Sequence, residues 1–258
     1  MVKIISFANH KGGVGKTSST VNIGAGLSKL GQHVLLIDLD PQANLSLSLG
    51  IGEIQKTIYS ALRGGHALAD AIVNVTANLD VVPSTLDLTG AELELSSETG
   101  REFVLKDLID SLKKKYDYIL IDCPPSLGLL TLNALTASDE VYIPLQAQFL
   151  ATQGLAKLKD VIEKIKKRHN KKLVIGGVFL TQYDDRKILN RDVAKAVTGY
   201  FPDKMFKTKI RDNIAIGEAP SSGVDIFRYD KKSYGATDYL SLTKEMLKRT
   251  QKSAANSK

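Results

Sequence analysis

One seven-residue stretch limits what this chain can become: Lys11-Gly12-Gly13-Val14-Gly15-Lys16-Thr17. It follows a short apolar run, Val2 to Ala8, and precedes an amphipathic run, Ser18 to Leu30. The order is strand, glycine-rich loop, helix. Glycines let consecutive backbone N–H groups close on an anion, and the N-terminus of the following helix adds the positive end of its dipole. Lys11, Gly12, Gly13, Val14, Gly15, Lys16, Thr17 and Ser18 are therefore read as a phosphate cradle. Lys16 is placed to reach the terminal phosphates of a nucleoside triphosphate, and the Thr17 hydroxyl to ligate Mg²⁺. The general pattern G-x-x-x-x-G-K-[ST] asks for glycine where this chain has His10. The match is to a narrower form with a second lysine, Lys11, inside the loop.

Two further runs end in acids. His33-Val34-Leu35-Leu36-Ile37 is continuously apolar, as a parallel strand covered on both faces must be, and it leads into Asp38-Leu39-Asp40-Pro41-Gln42. Tyr118-Ile119-Leu120-Ile121 leads in the same way into Asp122-Cys123-Pro124-Pro125. In open α/β sheets the carboxyl ends of the strands are where ligands bind. Asp122, after four apolar residues, has the layout of a Mg²⁺ ligand, commonly acting through a water. The plainer alternatives are a structural carboxylate at Asp122 and, for Asp40 before Pro41, a helix cap. Cys123 reads as buried packing rather than a reactive thiol.

Strand-like runs also occupy Leu79 to Pro83, Asp139 to Leu145 and Leu173 to Leu180. Helical runs separate them: Leu86 to Leu95, Phe103 to Lys115, Leu127 to Ala137, Gln153 to Lys172 and Ile188 to Tyr200. At least six strands alternating with helices predict an α/β fold, a mostly parallel twisted sheet with helices on both faces. Glu92, Glu94 and Glu98 are expected on a solvated helix face. No repeat and no Pro/Gly/Ser linker divides the chain, so residues 1–251 are expected to form a single domain, with 252–258 a disordered basic tail.

At 258 residues the chain is long enough for one large core. A single cysteine excludes an intramolecular disulfide framework and fits a reducing compartment. No apolar run approaches the roughly 18 residues of a membrane span. Net charge is +7 and unevenly spread: residues 1–150 hold 11 Lys and Arg against 16 Asp and Glu, and the remainder 24 against 12. A basic half on a nucleotide-binding globule implies a polyanion partner, unless the lysines serve only solubility.

Four stretches together carry a resemblance: K-G-G-x-G-K-T at the N-terminus, D-x-D-P-Q at 38–42, I-D-C-P-P at 121–125, and the block from Ile210 to Pro220 with Glu218-Ala219-Pro220. They are similar to the ParA/MinD ATPases with their deviant Walker A box, and within these to the short ParA/Soj type, over Val2 to about Arg249. The resemblance implies ATP and Mg²⁺ as cofactors, with hydrolysis to ADP and phosphate. Catalytic roles fall to Lys11, Lys16 and Asp40: Lys11 reaches a partner subunit's nucleotide across a dimer, and Asp40 orients the attacking water. Metal roles fall to Thr17, Asp38 and Asp122. It further implies a homodimer when ATP is bound, non-specific double-stranded DNA as a partner, a ParB-like centromere-binding protein that stimulates hydrolysis, and a cytoplasmic, nucleoid-associated location. The start of the chain leaves no room for the helix-turn-helix extension of longer partition ATPases.

Relatives carry arginines just before the Glu-Ala-Pro where this chain has Asp212 and Ala215, so individual DNA contacts are not transferred there. The candidates for a basic DNA-binding face are Arg186, Lys187, Arg191, Lys207, Lys209, Arg211, Arg228, Lys231 and Lys232. A MinD-like membrane-surface switch is the alternative, resting on weak amphipathicity from Ser241 to Arg249. An electron-transfer ATPase with a shared iron–sulfur cluster is disfavoured by the lone cysteine, and a generic P-loop kinase has no second-substrate signal to support it.

Overall fold

The computed structural model describes residues 2–148 and 151–255. In chain order the first elements are β1 (Lys3–Phe7), α1 (Lys16–Lys29), β2 (Val34–Asp38), α2 (Asn44–Ser48), α3 (Ile58–Leu62), β3 (Val73–Thr76) and β4 (Leu79–Val82). There follow α4 (Ala91–Leu95), α5 (Val104–Asp110), β5 (Tyr118–Asp122), α6 (Leu129–Ala137), β6 (Glu140–Gln146), α7 (Ala151–Arg168) and β7 (Val174–Thr181). The chain closes with α8 (Ile188–Tyr200), α9 (Ile214–Glu218), α10 (Ile226–Tyr229) and α11 (Tyr234–Ala255). The last helix continues past residue 251 into the segment expected as a tail; residues 256–258 lie outside the described residues.

The strands form one sheet in the order β3-β4-β2-β5-β1-β6-β7. Every pair is parallel except β3 with β4. Strand periodicity divides the apolar residues between two cores. Ile4, Leu35, Ile37, Ile119 and Ile121 point to the face covered by α3, α5, α6, α7 and α8. Ile5, Leu36 and Leu120 point to the face covered by α1 and α11. The continuous apolar runs are needed because both faces are buried. α1 and α11 approach closely: a Cβ at Gly26 would lie 2.6 Å from Thr243 Oγ1.

The fold differs from what the sequence predicts in one strand, three helices and one acidic side chain. β3 was not expected; its Val-Asn-Val-Thr is only four residues long and pairs at an antiparallel edge. The helix expected over Leu86 to Leu95 is a 3₁₀ turn, Leu86–Gly90, followed by α4. The helices at 103–115 and 153–172 are shorter at their C-terminal ends. Glu92 is not a solvated residue, because its Oε1 accepts the N–H of Leu130 at the start of α6, at 3.2 Å. Glu94 forms a surface pair with Arg63, while Glu98 is exposed as expected.

Candidate functional site

The glycine loop spans the gap between β1 and α1 at the carboxyl end of the sheet. Asn9 fixes its entrance, donating from Nδ2 to Pro144 O at 2.8 Å and accepting the Lys11 N–H at 3.1 Å. Gly13 and Gly15 have φ of 72° and 80°, a left-handed conformation that other residues avoid. Thr181 Oγ1 donates to Val14 O at 2.9 Å and Gln182 Nε2 to Gly13 O at 3.2 Å. With these carbonyls bound on the β7 side, the loop N–H groups beyond Lys11 can turn towards an anion. Gly12 and Gly13 are exposed, and a Cβ at either would meet nothing within 4 Å.

Lys16 opens α1 and is only 7% exposed. Its ammonium has three protons, yet among the described residues its one acceptor is Lys11 O, at 3.2 Å. Lys11 is exposed, and its Nζ donates to Gln148 Oε1. Thr17 Oγ1 donates to Asp122 Oδ2 at 2.6 Å. Asp122 is fully buried, and burial, with the charges of Asp38 and Asp40 beside it, pushes its carboxyl up to about 8. A half-satisfied ammonium next to a strained carboxylate is the donor set a magnesium–phosphate group fits.

Asp38 lies level with Asp122 across the β2–β5 ladder. Burial raises it to about 6, opposed by hydrogen bonds from Ser46 and from the Asp40 N–H. Asp40 is 7% exposed and its Oδ1 accepts the Gln42 N–H at 3.0 Å. The loop, Lys16, Thr17, Asp38, Asp40 and Asp122 thus meet at one place. Cys123 is fully buried, and burial together with the Asp122 charge pushes its thiol up, so it is no nucleophile.

Cavities open at this end of the sheet, two of which bear on the candidate residues. One of about 300 Å³ borders the loop through Gly15 and Ser18 and continues along Thr181, Gln182, Ile210, Asn213 and Tyr239. Asn213 precedes α9 but its side chain does not cap it, and its Oδ1 is buried without a partner among the described residues. That unpaired acceptor beside the phosphate loop suits the exocyclic amine of a nucleotide base. The sequence marks the 210–220 block only as part of the resemblance and does not single out Asn213. The second cavity, about 660 Å³, does not touch the loop; Tyr183, Asp184, Asp185, Arg186, Lys209, Arg211 and Asp212 line it.

The nine basic candidates are all on the second half of the surface, and they are not alike. Arg186 forms a two-bond pair with Asp184 and holds that carboxyl down to about 2. Arg211 forms another with Asp238, at 2.9 and 2.7 Å, and its guanidinium lies 4.1 Å from the centre of the Tyr234 ring. Arg228 pairs with Asp225 at the start of α10. Lys209 stacks on Tyr183, with Nζ 4.1 Å from the ring centre, and Arg191 donates to the Asp185 carbonyl. Lys187, Lys207, Lys231 and Lys232 are exposed, and among the described residues their ammonium groups have no carboxylate partner. The three paired arginines are therefore separate from the freer lysines.

A glycine loop between the first strand and first helix, with two acidic strand ends beside it in a mostly parallel sheet, defines a P-loop NTPase fold. A family model described as "AAA domain" matches residues 2–175. The chain is 47% identical over 249 residues to the sporulation initiation inhibitor protein Soj of Bacillus subtilis (strain 168), covering 95% of this chain and 98% of that one. It is 44% identical over 253 residues to the chromosome partitioning protein ParA of Caulobacter vibrioides (strain NA1000 / CB15N), covering 96% and 95%. Among solved structures, cobyrinic acid a,c-diamide synthase from Mycobacterium smegmatis, with bound ADP and magnesium, superposes with a TM-score of 0.86 at 34% identity, covering 97% and 96%. The chain belongs to the ParA/MinD family of P-loop ATPases, alongside its Soj and ParA chromosome-partitioning members.

Proposed function

We propose that this protein is a DNA-partition ATPase in which ATP selects between two association states. The observation that carries this reading is the buried convergence of Lys16, Thr17 and Asp122 on the glycine loop, in a chain similar over nearly its whole length to partitioning proteins. A fold shared with an amide-forming enzyme does not choose a job by itself. The partition reading therefore leans on the site and on these sequence relatives.

Lys16 and the loop N–H groups hold the β- and γ-phosphates of ATP, and Asn213 in the adjoining cavity accepts from the base. Thr17 and Asp122 hold Mg²⁺, with Asp38 supporting their surroundings. Magnesium, when bound, neutralises charge on the phosphates and relieves the buried Asp122 carboxylate. Asp40 Oδ1 is engaged by Gln42, leaving Oδ2 to orient a water in line with the γ-phosphate. Lys11 on the exposed rim is long enough to reach a second copy's nucleotide, adding positive charge where the transition state develops negative charge. The dimer so closed displays a joint basic surface that binds duplex phosphates without reading bases, in the cytoplasm on the nucleoid. A ParB-like centromere-binding protein stimulates hydrolysis and releases it.

The MinD-like membrane reading is weakened by α11. Leu242 and Met246, apolar residues that a membrane anchor would have to present, are 1% and 0% exposed and packed in the core with α1. No helix among the described residues is long and apolar enough to cross a membrane.

The test is retention on duplex DNA with ATP, ADP and no nucleotide, across a salt series, with vesicle co-sedimentation alongside. ATP alone should give strong retention that weakens steeply with salt. Lys16→Ala should lose nucleotide binding and retention together, and Asp40→Ala should stay bound without turnover. Equal retention in all three nucleotide states would sink the switch.

A further inference from the structure

Ser46 belongs to α2, a five-residue helix to which the ATPase reading assigns no chemistry. It is 1% exposed, donates two hydrogen bonds towards the site and accepts a third from the far side. Its N–H and its Oγ–H both donate to Asp38 Oδ2, at 2.9 and 2.7 Å. Its Oγ in turn accepts the N–H of Ser84, just beyond β4, at 3.0 Å. On the other side of the carboxylate, Asp38 Oδ1 accepts the Asp40 N–H at 3.2 Å. One path of hydrogen bonds therefore runs from Ser84 through Ser46 and Asp38 to the backbone of Asp40.

The hydroxyl suits this place because it has one proton and two lone pairs. Spending the proton on Asp38 leaves lone pairs for Ser84. The packing of α2 does not need the hydroxyl, since Leu45 and Leu49 anchor the helix, at 0% and 6% exposure. Asp40 itself has little to hold its side chain: among the described residues its carboxylate accepts only the Gln42 N–H. The direction in which Asp40 points is thus set by the 38–42 loop, and that loop is fixed through Asp38.

We propose that Ser46 is a positioning residue for hydrolysis: by clamping the Asp38 carboxylate it fixes the loop that presents Asp40 to the nucleotide. This rests on the ATPase reading of the same site. Ser46 touches neither the phosphates nor the attacking water and acts only through Asp38. An outer partner of a site carboxylate is worth roughly 10- to 100-fold in activity, and this one acts at second hand, so the lower end applies.

The experiment measures steady-state ATP hydrolysis by the full chain with Mg²⁺, for wild type, Ser46→Ala, Ser46→Thr, Asp38→Asn and the Ser46→Ala/Asp38→Asn double variant. Melting of the nucleotide-free proteins and affinity for a fluorescent ADP analogue are read in parallel. Ser46→Ala should lower kcat about tenfold with KM and analogue affinity within about twofold. Ser46→Thr, which keeps the hydroxyl, should recover most of the loss. The double variant should be no slower than Asp38→Asn alone, because residues acting through one another are not additive. Wild-type kcat in Ser46→Ala, a Thr variant as slow as Ala, multiplicative losses in the double variant, or failure of Ser46→Ala to fold would each overturn the positioning role. A wild-type protein without ATPase activity would instead remove the functional reading beneath it.

Discussion

Asp38 and Asp122 end neighbouring parallel strands at the same level of the ladder, and both are fully buried. Their surroundings nonetheless differ. Asp38 receives three N–H or O–H donors from Asp40 and Ser46 and is raised only to about 6. Asp122 receives two threonine hydroxyls, one at 2.6 Å and one at 3.4 Å, and is raised to about 8. The hydrogen-bond donors around each acid, together with the Asp38 charge beside Asp122, make the difference. Two residues after Asp38 is Asp40, whose N–H turns back to the carboxylate. Two residues after Asp122 is Pro124, which has no N–H to give. Asp38 is surrounded by donors from its own loop and from Ser46, whereas Asp122 has fewer donors and a second carboxylate beside it. Sheet position alone thus does not make a metal ligand: the donors gathered around each acid decide which one a cation would relieve more.

Replacing each acid by its amide is the most direct way to break this contrast, and it carries the largest expected effect. Asp122→Asn should weaken Mg²⁺-dependent nucleotide binding roughly 100-fold, as loss of a charged ligand does, while Asp38→Asn should weaken it less than about tenfold, as for an outer-sphere partner. Titration calorimetry with ADP, in magnesium and in a chelator, measures both. In the chelator the two variants should bind like wild type. Equal losses from the two substitutions would mean that both acids serve the metal alike.

The next effect is a dependence on pH. A carboxyl whose folded pKa lies above its unfolded value, near 4, binds a proton that the unfolded chain has already released. Between the two pKa values the folded state holds more protons, so stability falls as pH rises. For the nucleotide-free protein the window opens near pH 4. The Asp38 contribution is lost by about pH 6 and the Asp122 contribution by about pH 8. Each group adds at most about 1.4 kcal/mol per pH unit within its window. Chemical denaturation from pH 5 to 9 should show stability declining from 5 to about 8 and levelling off above it, with Asp122→Asn flattening the part from 6 to 8. Magnesium and nucleotide together should shrink the decline, because a bound cation takes the proton's place. A profile that rises towards pH 8 would contradict the assigned states of both acids.

Much of this was visible in the linear chain. The phosphate loop stood out because six residues in a window of seven specify it, and six of the seven strands stood out because burial on both faces demands unbroken apolar runs. Asp38, Asp40 and Asp122 could be placed because each lies at the end of such a run. The features that stayed hidden depend on contacts between distant residues. Arg211 reads as a free cation until Asp238 is brought against it, and Glu92 reads as solvated until the start of α6 arrives beside it. Asn213 looks like a helix cap and is not one. Even the contrast between the two acids was partly spelled out, in Asp-Leu-Asp against Asp-Cys-Pro, although nothing local points to Ser46, eight residues on.

The smallest predicted effect sharpens the contrast most finely. Thr20 is fully buried in α1, and its hydroxyl proton is shared: it donates to Lys16 O at 3.0 Å and only weakly to Asp122 Oδ1 at 3.4 Å. Thr17 holds the other oxygen at 2.6 Å. Val keeps the shape of Thr and removes the hydroxyl, so Thr20→Val should change nucleotide-free stability by only about 0.5 kcal/mol, as for a long, shared hydrogen bond. Magnesium-dependent ADP affinity should stay within about threefold, since a longer contact gives up little when the cation arrives. Denaturant melts and the same calorimetry read both numbers. If Thr20→Val instead lost as much as Asp122→Asn, the Asp122 carboxylate would already be satisfied by hydroxyls, as Asp38 is by Ser46, and the two strand ends would be equivalent after all.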